Sequence, residues 1–437
     1  MKFISHPGFL RLGRHAAWAL VAALAAGPAF AATDIQVWHA MDEHHAEVFE
    51  DLVKAYNRSQ SEVRVQLRTF EGEQQLEAAL QAAAKADNLP ALFDLGDDHT
   101  LDEIAGRGYV QPFYAYQNNP AFKDVRWFLS SDNAFIHDAK HRLMAFPYML
   151  EIPVMYYNRD AFKKAGLEPA VPQRTWLELQ GQLVSLANNG SRKCPLTSDL
   201  PVSINLENLA AVNNQLFASA GNGLKTQGLP SFSFDSTYVR HLSLMISWVR
   251  SEIMVGPKLG SQSVDRFAAG DCAIMMSNSG RIGRFSDIRG LDYAVSGLPY
   301  YPEVTKQPGS PFVSGSGLWM TKTDKVHAKA TVQFLGWLAQ PKQAAKWHQE
   351  TGFLPLTYAA FEQTPDKYYE SLGQWRELVA VYSHKASATG QGFRINNYPS
   401  IRARFHQILD NALQGQQPAV TALQLAATEA NKMVRQK

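Results

Sequence analysis

One carboxylate stands out by its surroundings: Glu151 sits between Leu150 and Ile152 in the run PYMLEIPVMYY. An ionised acid in so apolar a stretch needs a polar partner or a water-filled pocket, because burying it alone is costly. Glu73, in the turn EGE, and Asp97, in the segment GDDH, lie where predicted strands end. Taken singly, each has the plain reading of a surface acid. Ionised carboxylates only accept hydrogen bonds, so Glu73 and Glu151 suit hydroxyl or ammonium donors and repel a phosphate dianion unless paired with a base or protonated. Glu73 with Glu151 also has the composition of a glycosidase pair, which requires the carboxyls about 5–10 Å apart across the scissile bond. That makes a hydrolase the remote alternative. His39, His44, His45 and His99 with Asp42, Asp97 and Asp98 supply metal-ligand types. Adjacent histidines diverge on a helix, however, and a solvated helix start accounts for them, so no metal is expected. The chain carries no P-loop, HExxH, GxSxG or dinucleotide fingerprint, and no cofactor is expected. Cys194 and Cys272 are too far apart in sequence for a clustered zinc site. A single disulfide and two buried thiols remain as alternatives.

The start of the chain indicates where this chemistry takes place. Lys2, Arg11 and Arg14 lead into AAWALVAALAAGPAF, and Ala29-Phe30-Ala31 has the small-x-small pattern of a cleavage point. The apolar run is too short to span a bilayer, and no cysteine follows it for a lipid anchor. The expectation is a signal peptide over residues 1–31, cleaved near Ala31, and a periplasmic mature protein. The whole chain has 42 Lys+Arg against 40 Asp+Glu. Removing the three basic residues of the leader leaves 39 against 40, a net charge of −1. A near-neutral balance gives no electrostatic footprint for nucleic acid or an anionic membrane. About 400 residues exceed what one core accommodates, so two domains are expected.

These residues must be positioned by alternating strands and helices. Ile35 and Val37 begin a strand that ends in Trp38-His39. Phe49, Leu52, Val53 and Tyr56 recur at helical spacing. Val63, Val65 and Leu67 form a second strand, Leu76, Ala79, Leu80 and Ala83 a second helix, and Leu89–Leu95 a short buried strand. That order predicts a parallel sheet with ligands at the carboxyl ends of its strands. The stretch Ile152–Tyr157 reads as one strand carrying the chain to a second body. Asn158 and Thr175 are placed to start the helices beyond it. Strands at 272–276, 291–295 and 313–320 follow, and Asp324 and Pro341 open two further helices. The tail from Arg402 is helical by pattern. The fold class is α/β, in two lobes.

Several blocks together resemble a known family: YYNRDAFKKAGL, FAAGDCAIM, SGSGLWM, and KATVQFLGWLAQPKQAAKWHQETGFLP. The chain resembles the extracellular solute-binding proteins of bacterial ABC importers over nearly all of its mature length. VWHAM, INLEN, RINNYPSIR and both cysteine contexts are similar to the members that bind glycerol-3-phosphate. The resemblance implies a type II periplasmic-binding architecture, each lobe a sheet flanked by helices, with the ligand cleft at the hinge. Lobe 1 is expected over 32–147 plus about 298–350, and lobe 2 over 148–297 plus about 351–437. It implies a monomer that closes on sn-glycerol-3-phosphate or a glycerophosphodiester and docks on a permease with ATPase subunits. It implies no enzyme.

Carried over residue by residue, the resemblance implies ligand contacts at Trp38, Glu73, Asp97, Glu151, Leu200, Asn278, Gly315, Phe353 and Arg402. Gly315 and Arg402 keep the family's residue types. Asp97 stands for a glutamate, Glu73 for a tyrosine, Glu151 and Asn278 for serines, Phe353 for a tyrosine, and Leu200 for a tryptophan. The changed positions make a sugar, a polyol or a cationic solute the alternative ligand.

Overall fold

The structure is a computed structural model that describes residues 32–96, 99–189, 193–257 and 260–436. The predicted leader and Asp97 lie outside the described residues.

The first sheet begins as its sequence pattern implies. Strands β1 (Thr33–His39) and β2 (Val63–Thr69) pair in parallel, Thr33 opposite Val63. Strand β3 (Leu92–Gly96) pairs in parallel with β1 on the other side. Helix α1 (Glu43–Ser59) buries Val48, Phe49, Leu52, Val53 and Tyr56 along one stripe, and its first turn is capped by Asp42, which accepts from the His45 N–H. Helix α2 (Glu73–Lys85) buries Leu76, Leu80 and Ala83.

The sheet is mixed, where strand–helix alternation predicts parallel pairing throughout. It is completed by β4 (Val110–Gln111), β5 (Phe146–Glu151) and, from far along the chain, β10 (Ser314–Thr321). The order is β2-β1-β3-β10-β4, with β5 also on β10, and β10 runs antiparallel to β3, β4 and β5. Strand β10 returns from the other sheet, not from a crossover helix of this one, and so enters from the opposite end.

The expected strand over 152–157 forms one residue later, and the apolar residues just before it belong to a different strand. Strand β5 ends at Glu151 in the first sheet, and β6 (Pro153–Asn158) starts in the second. Only Ile152 separates them, and Pro153, without an N–H, opens the new strand. Strand β5 thus spans the position drawn as the first lobe boundary, and the passage between sheets falls at Ile152. The second sheet has β7 (Cys194–Ser198), β8 (Cys272–Asn278) and β9 (Tyr293–Ser296) around β6, in the order β7-β8-β6-β9. Cys194 and Cys272 are disulfide-bonded at opposed positions of β7 and β8, with Cα atoms 4.4 Å apart.

Helices cover both sheets. Asn158 caps Arg159–Lys164, Thr175 caps Trp176–Asn188 and Asp324 caps Lys325–Leu338, each side chain accepting a first-turn N–H. Trp347, from the helix Pro341–Thr351, stacks on Tyr148 with ring centroids 4.4 Å apart beneath the first sheet. Trp176, Trp248 and Tyr301 do the same work beneath the second. No helix among the described residues is long and apolar enough to cross a membrane.

Candidate functional site

A cleft open to solvent lies between the first sheet with its loops and the helical segments that pack on the second core. One wall comes from the first sheet and its loops: Gly96, Thr100, Ile136, Ser314, Ser316 and Trp319. The facing wall carries Ser203, Glu207, Phe393, Tyr398 and Arg402. Hydroxyls, rings and one carboxylate–guanidinium pair therefore meet across the gap. Such a mixture suits a small polar solute with hydroxyl groups.

Arg402 is on the first turns of the helix Tyr398–Leu413. Its Nε lies 3.1 Å from Glu207 Oε1, and the Tyr398 hydroxyl donates to the same oxygen at 2.5 Å. Glu207 ends a π-helical turn, Ser203–Glu207, and is only 5% exposed. Irregular turns of this kind often accompany functional positions. Neighbouring amides hold the turn: Asn208 Nδ2 donates to Ser203 Oγ, while Asn208 Oδ1 accepts from the Phe312 N–H. A second arginine, Arg394, reaches across the cleft. Its Nη2 donates to the His137 carbonyl at 2.7 Å, and its Nε lies 3.5 Å from Asp102.

Beside the cleft, where the chain passes between sheets, four of the sequence-predicted residues come together. Asn278 Nδ2 donates to Glu151 Oε1 at 2.7 Å, and the Gly280 N–H donates to Glu151 Oε2 at 3.3 Å. A Cβ built on Gly280 would meet Glu151 Oε2, Phe353 and His45, so those three converge on one point. Gly315 has φ +98°, and a Cβ there would lie 2.2 Å from the Met149 carbonyl and 3.1 Å from Glu151 Cγ. Only glycine fits that position without strain. Phe353 packs between Trp347 and the His45 ring, whose centroid is 4.5 Å away.

The polar groups here are shared between the two lobes. His45 Nε2 donates to the Gly280 carbonyl at 2.7 Å, and Arg281 pairs with Asp42 at 2.6 Å. Burial pushes the Glu151 carboxyl up, opposed by the charges of Arg281 and His45 and by its two hydrogen bonds. Burial also raises Asp199, again opposed by Arg281, and raises Asp94 to about 6. Burial would raise Asp42 too, but His45 and the Arg281 guanidinium hold it well below the usual carboxylate range. Desolvation disfavours the Arg281 charge, and Glu151, Asp199 and Asp42 restore it.

The remaining predicted residues lie apart from this cluster. Trp38 is buried in the first core, its ring beside Phe70 and under the Arg68 guanidinium at 4.6 Å. Glu73 opens α2 behind a glycine N-cap. Leu200 is half-buried against the second core. Glu207, Arg281, Arg394, Asp94 and Asp199 were not singled out from sequence. The signal that carries Glu207 and Asp94 is the one that found Glu151: an acid inside an apolar run, INLENLAAV and ALFDLG. Among the described residues no group of three or more His, Cys, Asp or Glu is arranged to hold a metal ion.

The model of the bacterial extracellular solute-binding protein family matches residues 51–372. The chain belongs to this family. The sn-glycerol-3-phosphate-binding periplasmic protein UgpB of Salmonella typhimurium is 30% identical over 432 residues, covering 97% of each chain. The UgpB of Escherichia coli K12 is 30% identical over 419 residues, 94% of each. UgpB from Mycobacterium tuberculosis, solved with glycerophosphocholine, superposes with a TM-score of 0.72 at 15% identity, over 92% of this chain and 98% of that one. Maltose-bound MalE3 of T. maritima gives 0.71 at 16%, over 92% and 100%. These two share the fold: α/β, two sheets flanked by helices. As an extracellular solute-binding protein, the chain is a binder and not a catalyst.

Proposed function

We propose that this protein is the periplasmic substrate-binding component of an ABC importer and captures sn-glycerol-3-phosphate or a glycerophosphodiester in the interlobe cleft. The observation that carries this reading is the cleft itself, with Thr100, Ser314 and Ser316 on one wall and Ser203, Glu207, Tyr398 and Arg402 on the other. Residues 1–31 act as the export signal. The sheet of β1–β5 and β10 forms the core of one lobe and that of β6–β9 the core of the other. Ligand contacts to both lobes stabilise the closed form, which docks as a monomer on the membrane permease. Glu151, Asn278, Gly315, Phe353 and Arg402 form the contact set, with Asp97 and Glu73 added from the first lobe, while Trp38 and Leu200 serve the two cores.

A second reading is favoured by one observation. Glu151 and Asn278 occupy the region where the resemblance implies two serine donors, and Glu151 takes the Asn278 amide for itself. A neutral polyol, a sugar or a solute with a cationic head suits that arrangement.

Tryptophan fluorescence tests both readings, because Trp319 lines the cleft. The purified mature protein is titrated with sn-glycerol-3-phosphate, glycerophosphocholine, glycerol and maltose. A saturable response to the phosphate esters, lost in Arg402→Ala, is expected. A response to glycerol or maltose alone selects the second reading, and no response to any of the four removes both ligand assignments.

A further inference from the structure

Both arginines that face the cleft are already matched by a carboxylate. Arg394 faces Asp102, and Arg402 faces Glu207. The two pairs differ in kind. Asp102 is exposed, whereas Glu207 is buried and fixed by the Tyr398 hydroxyl as well as by Arg402. A charge-assisted contact held on two sides in a confined setting is strong and rigid. It sets a carboxylate against the guanidinium and offsets the arginine's charge where a ligand would feel it.

We propose that Glu207 is a positioning and specificity-determining residue: it orients Arg402 and neutralises it, so that the cleft accepts a solute with at most one negative charge and discriminates against a phosphate dianion. This rests on the reading that the cleft binds a glycerophosphate-class solute. Arg402 then acts as a directed hydrogen-bond donor and not as a full counter-charge. A phosphodiester carries one negative charge throughout the neutral range. A phosphate monoester gains its second charge near pH 6, and that charge meets the Glu207 carboxylate without a compensating cation. The monoester is therefore bound more weakly as pH rises through that value, while the diester is not.

Other charged or titratable groups near this part of the cleft are common to the wild type and the variants. Among the described residues they include Arg394 with Asp102, His99 with Glu103 and Glu77, and His406 one turn beyond Arg402. The Arg402 charge helps burial to hold His406 at about 4, so that histidine stays neutral across the test range.

The test compares wild type with Glu207→Gln, which keeps an acceptor for Tyr398 and removes the charge. Dissociation constants for sn-glycerol-3-phosphate, glycerophosphocholine and inorganic phosphate are measured at pH 5.5 and pH 8. Tyr398→Phe, which keeps the charge, serves as the structural control. For wild type, the monoester should weaken relative to the diester between the two pH values. For Glu207→Gln, monoester affinity at pH 8 should rise about tenfold relative to the diester, and inorganic phosphate should begin to bind. Tyr398→Phe should leave the ratio near the wild-type value. An unchanged ratio and unchanged pH profile in a folded Glu207→Gln protein overturn the inference, as does an equal shift in Tyr398→Phe. If neither ester binds either protein, the ligand reading fails on its own. Inorganic phosphate then decides the inference: binding to Glu207→Gln alone supports it, and no difference between the proteins overturns it.

Discussion

Asp94, on β3, is 5% exposed and has one carboxyl oxygen without a hydrogen-bond partner among the described residues. Burial raises its pKa from 3.8 to about 6, only partly opposed by Ser316, the Ala40 N–H and His45. Between those values the unfolded chain releases the proton first. Stability therefore falls as pH rises through that window, by roughly 3 kcal/mol in all. Asp94→Asn should be more stable than wild type at pH 7 by up to that amount and lose the difference by pH 4, as read by urea unfolding at several pH values. Equal pH slopes for the two proteins would show that Asp94 stays charged. The buried histidines act with the opposite sign. His348 donates to the Phe353 carbonyl and meets the Tyr369 hydroxyl, and burial lowers it to about 4 despite the Phe353 contact. His241 is lowered by burial to about 3. Both are neutral in the fold, so their stabilisation is complete above pH 6.5 and is lost as pH falls toward 4. His348→Gln should lose less stability than wild type between pH 7 and pH 4.5; identical losses would mean that His348 does not carry this term.

At the scale of elements, β7 and β8 are clamped by a disulfide whose partners are 78 residues apart in sequence. Closing a loop of that span removes much of the unfolded chain's freedom, and reduction should lower stability by about 2–5 kcal/mol. Urea unfolding with and without dithiothreitol measures it, and a midpoint indifferent to reductant would refute the estimate. Elements built from local pattern were legible in the sequence: the stripe of α1, the alternation of β2, and the caps at Asn158, Thr175 and Asp324. What was hidden depends on contacts between distant segments. No local feature of SGSGLWM reveals that it runs antiparallel to LFDLG, nor that Ile152 divides one apolar run between two sheets. The site divides in the same way. Glu151 announces itself by its apolar neighbours, and Phe353 and Gly315 by family motif. Arg281 is an ordinary basic residue until folding brings Asp42, Glu151 and Asp199 around it. Trp38 has the sequence look of a stacking platform, but its ring lies in the core under Arg68.

For the whole molecule, contacts such as Arg281–Asp42, His45–Gly280 and Arg394–His137 tie one lobe to the other. Each is worth little alone where it meets solvent, yet under the proposed hinge closure they would together bias the balance between open and closed forms. Asp42→Asn keeps the helix cap and removes the charge that faces Arg281. It should raise the ligand dissociation constant about two- to fivefold and shift the free protein toward more extended shapes in small-angle scattering. Unaltered scattering and affinity would mean that the bridge does not contribute to closure. The single residue between β5 and β6 has a mechanical consequence. In a pair of jaws, points at the pivot turn but hardly travel, while points at the rim sweep long arcs. Glu151 stands at the pivot and Arg402 on the far wall. With the contact set proposed above, a solute that enters the open form would touch Glu151 before any movement begins, whereas its contact with the far wall would be made only by the stroke itself. On that proposal, grip at the fulcrum would govern arrival, and grip at the rim how long the jaws stay shut.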